Sequence, residues 1–349
     1  MNLNSGIVAN NDISFSAVLL SLGVFILAMR INNIKDPRIN LLRVMSGLAV
    51  VTSITYVFMI LLEGPENVEY NFILTLVSTV DEVTCNMYCM YWLYYVLFSM
   101  YKSNDYLKKM QRIFNFPFIV LLVLDIINIF TGFLWYFDEN NAYQSTFLYF
   151  IQDVVRYSFI IVALIQYAIF KKNEGKTHFF NIWLSSLPLI ISGILESILD
   201  SYYIFPMGLA IGTCMLCMGI TTEIGFIDEE TGFYTGFYLA QIRELINKKQ
   251  FKLASIITYK LKKPEDMVEF SKALIELLPE DCETVRFDDH TLITLSETTD
   301  QGLVYMLSED VMAICEDMDT EVEVENVVKS KKEDPVSFLT KNINLDAVM

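Results

Sequence analysis

Six ionisable side chains interrupt otherwise apolar stretches in the first part of this sequence. They are Asp81, Glu82, Asp125, Asp153, Arg156 and Glu196. A charge in an apolar interior is costly, so such side chains usually pair with one another or mark a site for a ligand, an ion or a proton. Asn128 lies three residues after Asp125 and therefore on the same helical face, where it adds an amide group. These seven residues form the predicted ligand-binding site.

Two of these residues are predicted to lie at the same depth. Asp125 comes nine residues before Leu134, and Arg156 comes nine residues after Phe147. At about 1.5 Å of rise per helical residue, both lie roughly 13 Å below the outer end of their helices. We therefore expect Asp125 and Arg156 to interact. Asp81 and Glu82 are expected nearer the outer surface, because their helix is long enough to project from a membrane.

Three interpretations of these polar residues stay open at the level of sequence. They can form a structural ion pair or hydrogen-bond network that orients the helices. They can line a polar pocket for a small ligand that enters from outside, or they can form a path for ions or protons. The sequence shows no internal repeat of broken apolar segments, which is the pattern typical of many transporters.

Apolar runs long enough to span a bilayer position these side chains. A hydrocarbon core of about 30 Å requires about 20 helical residues. Seven stretches have this length: 13–31, 41–62, 72–100, 113–134, 147–170, 179–199 and 204–224. The sequence therefore predicts an all-α, seven-helix transmembrane bundle over residues 1–224, in contact with the lipid bilayer.

Charged residues in the loops predict the orientation of the bundle. The loops that follow the first, third and fifth runs are rich in Lys and Arg, with Arg30, Lys35, Arg38, Arg43, Lys102, Lys108, Lys109, Arg112, Lys171, Lys172 and Lys176. The loops Glu63–Glu69, Trp135–Gln144 and Asp200–Phe205 contain neither residue. Because basic loops stay in the cytoplasm, we expect a multi-pass cell-membrane protein with its N-terminus outside and its C-terminal domain in the cytoplasm.

Residues 225–349 have a different composition and are predicted to form a small α/β domain. They contain 13 basic and 26 acidic residues, for a net charge of −13, against 12 and 16 in residues 1–224. An acidic domain of this kind is not suited to binding nucleic acid. Its periodicity predicts a helix at 237–248, a strand at 251–259, a helix at 265–278, a hairpin of 285–287 and 291–296, a helix at 301–318, an edge strand at 320–328 and a last helix at 335–348.

Short motifs in this second segment resemble the GGDEF domain of diguanylate cyclases. That family opens with Asp-x-x-Thr-Gly-Leu-Tyr, and here the chain reads Asp228-Glu-Glu-Thr231-Gly232-Phe233-Tyr234 directly after the last apolar run. Val285-Arg286-Phe287 is similar to the tripeptide that precedes the family's signature turn, and the segment from Asp334 to Met349 is similar to its closing helix. The resemblance covers about 120 residues and implies a nucleotide-cyclase type of fold.

The chain departs from this family at the positions that carry catalysis. The signature turn would be Gly-Gly-Asp/Glu-Glu-Phe in the family, whereas here it reads Asp288-Asp289-His290-Thr291-Leu292. Side chains replace both glycines, which blocks a close approach of the backbone to a nucleotide. The strand that should end in a metal-binding Asp has no carboxylate within 255–260. Two-metal phosphoryl chemistry needs such carboxylates, so we expect no catalytic residues, no bound metal and no cofactor.

The expected function is therefore signal transduction by a sensor joined to a degenerate GGDEF-like domain. The bundle would bind an unknown small ligand on the outer side, and the domain would act by binding a cytoplasmic protein partner or a second copy of the chain. Two alternatives remain at this level. One is an active diguanylate cyclase with atypical residues that converts GTP to cyclic di-GMP. The other is a transporter with a regulatory acidic tail.

Overall fold

The structure is a computed structural model, and the chain separates into two compact units, Met1–Thr222 and Glu223–Met349. The residues that it describes are 3–31, 36–101, 103–172, 181–198, 204–247, 251–278, 282–297, 300–318, 320–330 and 333–343. Each unit is considered by itself below.

The first unit is built from long helices that follow the predicted apolar runs. They are α1 (Leu3–Arg30), α2 (Pro37–Leu62), α3 (Asn71–Tyr101), α4 (Asn104–Thr131), α5 (Phe150–Lys172), α6 (Ile182–Ile198) and α7 (Phe205–Ile224). Five of them, namely α1, α2, α4, α5 and α7, are long and apolar enough to cross a membrane by length and composition. These helices fit a membrane protein, whereas the count of seven spans stays a prediction.

Helices α3 and α6 are not among these five candidate spans, each for a separate reason. Helix α6 has only 17 described residues, fewer than the roughly 20 that a span requires. Helix α3 has 31 residues but carries buried polar side chains, including Asp81, Glu82 and Asn86. It packs against α2, α4 and α5, so its polar groups face protein rather than the outside. A polar helix is compatible with a membrane when neighbouring helices surround it.

A small β-hairpin closes the connection between α4 and α5. Strands β1 (Trp135–Phe137) and β2 (Tyr143–Ser145) pair antiparallel, with Trp135 opposite Ser145. The turn contains Asn141, which adopts a left-handed conformation with φ of 57°. Its buried amide donates to the backbone oxygens of Leu62 at 2.7 Å and of Asn67 at 3.3 Å. These hydrogen bonds connect the hairpin to the end of α2. This connection was not predicted from the sequence.

Helices α6 and α7 approach each other closely at two glycines. A Cβ atom at Gly208 would lie 2.7 Å from the carbonyl oxygen of Pro188 and would also overlap the side chain of Ser192. A Cβ atom at Gly212 would lie 3.0 Å from the carbonyl oxygen of Ser185. Small residues spaced by four let helix backbones touch within a membrane. The two helices are therefore interlocked by backbone contact.

The second unit is a five-stranded sheet with helices, and its elements from the first helix onward follow the order predicted from periodicity, whereas its first strand was not predicted. Its elements are β3 (Tyr234–Thr235), α8 (Tyr238–Asn247), β4 (Ser255–Leu261), α9 (Met267–Leu277), β5 (Cys282–Arg286), β6 (Thr291–Ser296), α10 (Gln301–Asp317), β7 (Val322–Val328) and α11 (Pro335–Asn342). The sheet order is β3-β5-β6-β4-β7. Strand β3 is parallel to β5, and the other neighbours are antiparallel.

The main hydrophobic core of this unit lies between the sheet and two helices. One buried cluster contains Ile257 and Tyr259 of β4, Phe270 and Leu274 of α9, and Val311 of α10. The ring centroids of Tyr259 and Phe270 are 5.8 Å apart. The apolar residues of α9 recur at the helical spacing that the sequence showed, which is why this face is buried. Strand β7 lies at the edge of the sheet, as predicted. The predicted closing helix, 335–348, ends earlier than expected, at Asn342, because Ile343 is extended; residues 344–349 lie outside the described part.

Candidate functional site

A buried ion pair in the helical unit joins α5 to α3. The guanidinium of Arg156 forms an ion pair with the carboxylate of Glu82. Its Nε atom also donates to Oδ1 of Asn86 at 3.0 Å, and Tyr149 donates its hydroxyl to Glu82 at 2.8 Å. The side chains of Arg156 and Glu82 are only 10% and 11% exposed. The planar guanidinium suits this arrangement, because it donates to several acceptors at once.

This ion pair corrects the expectation that Arg156 contacts Asp125. In the structure Asp125 accepts a hydrogen bond from the side-chain amide of Gln152, which lies one turn before Arg156 on α5. Asp125 has an electrostatic interaction with both Arg156 and Glu82, but it forms no ion pair with Arg156 among the described residues. Helix α5 packs more extensively against α3 than against α4, and Arg156 therefore meets the carboxylate on α3.

The third carboxylate beside Arg156 lies near the start of α5. One oxygen of Asp153 is 4.0 Å from Arg156, and its side chain is 36% exposed. The other acidic residues of the cluster are more deeply buried, with Asp125 at 0% and Glu82 at 9%. Asp153 is therefore the most exposed acidic residue of this cluster.

A second contact joins α3 to α2 through the residue next to Glu82. Thr55 of α2 donates its hydroxyl to Asp81 at 2.7 Å. One turn away, the hydroxyls of Thr52 and Thr84 are 2.9 Å apart. Asp81 is 5% exposed and Glu82 is 9% exposed, so both residues are buried among the helices, whereas their expected position near the outer membrane surface stays a prediction. Consecutive residues on α3 thus bind two different neighbouring helices.

A third contact joins α2 and α6 to the start of α7. Tyr56 donates its hydroxyl to Glu196 at 3.0 Å. The other oxygen of Glu196 accepts from the backbone N–H groups of Ile204 at 2.9 Å and Phe205 at 2.6 Å. The first N–H groups of a helix lack partners within that helix, and a carboxylate there also interacts favourably with the helix dipole. Glu196 therefore caps the N-terminus of α7 from the preceding helix.

Asn128 serves the β-hairpin rather than the cluster around Arg156. Its Oδ1 accepts from the backbone N–H groups of Leu134 at 2.7 Å and Trp135 at 3.4 Å, and its amide donates to the backbone oxygen of Trp135 at 3.0 Å. The side chain is 1% exposed. All three contacts are with backbone, which gives Asn128 a structural part in shaping the connection after α4.

Five residues that complete these contacts were not among the predicted site residues. They are Thr55, Tyr56, Asn86, Tyr149 and Gln152. Gln152 and Asn86 carried a signal, because each is a polar amide four residues from an ionisable residue on the same helix face. Nothing in the sequence distinguished Tyr149 and Tyr56, because tyrosine is frequent throughout these helices.

The turn that stands at the signature position in the second unit is exposed and bound to a nearby arginine. Asp288, Asp289 and His290 are all exposed. Asp289 lies 3.2 Å from Arg286, which also pairs with Asp228 at 3.0 Å and with Glu230 at 2.7 Å. Leu292 is buried in the sheet and Thr291 is half-buried. Among the described residues no group of three His, Cys, Asp or Glu side chains could hold a metal ion.

Asp228 is held in its ionised form within this arrangement. Burial alone would raise the pKa of this carboxyl, but hydrogen bonds from the backbone and hydroxyl of Thr231 and from Arg286 outweigh burial and lower it below the usual range. The short loop from Asp228 to Phe233 is thereby fastened to strand β5. In this chain the residues that resemble the GGDEF motifs form a structural connection.

Comparisons with solved structures return matches of low similarity. Two of them are the S helix–GGDEF–EAL segment of Vibrio cholerae LapD bound to c-di-GMP, at 12% identity and a TM-score of 0.30, and its apo form, at 11% and 0.30. The matches cover 35% and 36% of this chain. They cover 33% of each of the two structures, so the chain spans about a third of their length. A TM-score this low does not establish a shared fold. No family model and no curated protein matches the sequence.

Proposed function

We propose that this chain is a membrane signal-transduction protein in which a buried polar network in the helical unit controls the acidic C-terminal unit through α7. The observation that carries the proposal is the run of contacts from Arg156 to the N-terminus of α7. Helix α7 ends at Ile224, and the second unit begins at Glu223. The end of the network is therefore covalently continuous with the unit it would control.

Each step of this network passes from one helix to the next through adjacent residues. Arg156 binds Glu82. Asp81, which precedes Glu82 on α3, binds Thr55. The next residue on α2, Tyr56, binds Glu196, which caps α7. Neighbouring residues on a helix cannot move independently. A ligand that binds beside Arg156 and shifts α3 would, through these contacts, also shift the cap on α7.

The packing of α6 against α7 supports the same route. The backbones are in contact at Gly208 and Gly212, so a displacement of α6 is opposed by direct steric contact with α7. Tyr88 of α3 adds a further link, since its hydroxyl lies 2.8 Å from that of Thr213. Densely packed interfaces transmit small shifts, because they have few intermediate arrangements.

The proposed orientation places the ligand site toward the outside of a cell membrane. The basic residues of the loops after the first, third and fifth predicted runs would face the cytoplasm together with the C-terminal unit. The hairpin β1–β2 and the exposed edge of Asp153 would then face outward. A small ligand from outside would reach the cluster around Arg156 from that side.

We propose that the C-terminal unit is a catalytically inactive GGDEF-like domain that acts by binding a cytoplasmic protein or a second copy of the chain. Strand β4 (Ser255–Leu261) contains no carboxylate, and the signature turn carries Asp288 and Asp289 in place of glycines. With magnesium and GTP, the full-length protein is expected to form no cyclic di-GMP. Product formation above that of a protein-free sample would establish the cyclase alternative instead.

The experiment that tests the signalling proposal is the Tyr56→Phe variant of the full-length protein in lipid nanodiscs. The change removes one hydroxyl from the network and leaves the sequences of α7 and of the second unit unaltered. Hydrogen exchange of the backbone amides of residues 227–247 is expected to differ from that of the unaltered protein. Tyr136→Phe on the hairpin serves as the control and is expected to leave this exchange unchanged. Identical exchange in all three proteins contradicts the proposal.

A further inference from the structure

The contact between Asp125 and Gln152 leaves two buried acceptor atoms without a donor. Asp125 Oδ1 receives the amide of Gln152, whereas Asp125 Oδ2 and Gln152 Oε1 have no hydrogen-bond partner among the described residues. Both side chains are 0% exposed. A buried acceptor without a donor is unfavourable, because it has lost its hydrogen bonds to water without replacement.

The charges around this contact are also unbalanced. The charged residues that interact with Asp125 are Glu82 from α3 and Arg156 from α5, and Asp153 lies beside Arg156. The single guanidinium is engaged by Glu82 and Asn86 and lies 4.0 Å from Asp153. Asp125 therefore has no cation of its own. Ionised carboxylates in an apolar interior are stable only when a positive charge or several donors accompany them.

We propose that Asp125 and Gln152 bind a protonated primary amine. An ammonium group carries one positive charge and three N–H donors. It would supply the charge that Asp125 lacks and the donors that Asp125 Oδ2 and Gln152 Oε1 lack. Arg156 does not compete for this place, because its own contacts hold it at Glu82 and Asn86. The inference rests on the proposed function for its consequence, since the amine would be the signal that the helical unit senses.

The test uses the full-length protein in lipid nanodiscs and methylammonium chloride as the probe. The melting temperature is measured against methylammonium concentration at constant ionic strength, with tetramethylammonium chloride as the comparison. Both ions carry one positive charge, but only methylammonium has N–H donors. Methylammonium is expected to raise the melting temperature by a few degrees in a saturable manner, because a bound ligand stabilises the folded state. Tetramethylammonium is expected to give no saturable rise.

Two variants place the effect at the proposed residues. Asp125→Asn removes the charge at nearly constant shape and is expected to abolish the methylammonium shift. Gln152→Met removes the acceptor Oε1 together with the amide that donates to Asp125 and is expected to weaken the shift. Glu139→Gln, which alters an exposed acidic residue of the hairpin, is the matched control and should keep the full shift.

Three results would overturn the amine site. They are the absence of a methylammonium shift in the unaltered protein, an equal shift with tetramethylammonium, and a full shift in Asp125→Asn. The comparison of the two ions needs no variant and decides the question even if the variants do not fold. Hydrogen exchange of residues 227–247 separates the two proposals. If methylammonium binds without changing the exchange of these residues, the signalling proposal is contradicted and the amine site stands. If methylammonium does not bind, the amine site is wrong, and the signalling proposal is decided by the Tyr56→Phe experiment.

Discussion

Arg156 of α5 forms its ion pair with Glu82 of α3, and both side chains are almost fully enclosed by the helical unit. The pair links two helices that are separated in sequence by the whole of α4. Asp81, which precedes Glu82, binds Thr55 of α2. This single turn of α3 therefore connects α2, α3 and α5. The predictions below concern this connection, its route to α7 and the unit that follows.

Removing either partner of the ion pair should destabilise the protein more than removing both. Glu82→Gln or Arg156→Gln leaves the other charge buried without its partner, which typically costs about 3–5 kcal/mol. The double variant should lose less than the sum of the two single losses. Thermal unfolding in nanodiscs measures all three. Changes at Asp105 and Lys108, an exposed pair 3.8 Å apart, provide the control cycle and should show no coupling. Additive losses at Glu82 and Arg156 would show that the pair does not act as a unit.

The interlocked packing of α6 and α7 should make Gly208 intolerant of a side chain. Gly208→Ala would push a methyl group against Ser192 and the carbonyl oxygen of Pro188, at a cost of about 1–3 kcal/mol for overpacking. Gly23→Ala is the control, because nothing lies within 4 Å of a Cβ atom there, and alanine favours a helix. The melting temperature should fall for the first variant and stay equal or rise for the second. Equal stability of both would contradict the close contact.

Asp228 should stabilise the second unit in a pH-dependent manner. Its pKa is lower in the folded protein than in the unfolded chain. Its contribution is therefore complete above the unfolded pKa, about 3.9, and is lost as the pH falls through the lower folded value. Asp228→Asn should lower the free energy of opening of β4 amides by roughly 1–2 kcal/mol at pH 7, and the difference should shrink below about pH 4.

Hydrogen exchange corrected for the intrinsic rate at each pH measures this free energy in the full-length protein. Asp289→Asn is the control, because Asp289 also contacts Arg286 but its side chain is 82% exposed. That variant should have little effect at any pH. A difference between the unaltered protein and Asp228→Asn that grows as the pH falls would contradict the predicted sign.

The orientation can be tested with cysteines placed on opposite sides of the bundle. A membrane-impermeant thiol reagent added to intact cells should modify Asn140→Cys on the hairpin and leave Lys172→Cys at the end of α5 unmodified. Both positions are exposed. The unaltered protein, whose own six cysteines are buried or half-buried, provides the background signal. Modification of Lys172→Cys from outside would reverse the proposed topology.

Helix positions could be predicted from the sequence because an apolar span has a minimum length. The stretch 41–62 corresponds to α2 (Pro37–Leu62), and 204–224 corresponds to α7 (Phe205–Ile224). In the second unit the order of strands and helices from α8 onward also followed from periodicity, whereas the two-residue strand β3 was too short to give a signal. Strand β4 begins at Ser255 and not at Phe251 as predicted, because Phe251, Leu253 and Ala254 are as apolar and buried as the strand itself.

The partners of the buried charges could not be predicted in the same way. Equal depth suggested Asp125 for Arg156, but depth does not tell which helices are neighbours, and α3 proved to be the central one. The hairpin β1–β2 had a signal in its aromatic residues on both sides of an Asp-Glu-Asn-Asn turn. Asn141 could not be assigned its contact with Leu62, since that contact spans 79 residues of sequence.

The most direct test of the central claim is hydrogen exchange in the full-length protein after Glu196 is changed to alanine. The variant removes the cap that joins Tyr56 to the backbone N–H groups of Ile204 and Phe205. Exchange should become faster at the first turn of α7 and should also change at residues 227–247 of the second unit, whereas Glu139→Ala should alter neither. If the first turn of α7 loosens and the amides of residues 227–247 exchange as in the unaltered protein, the network does not control the second unit.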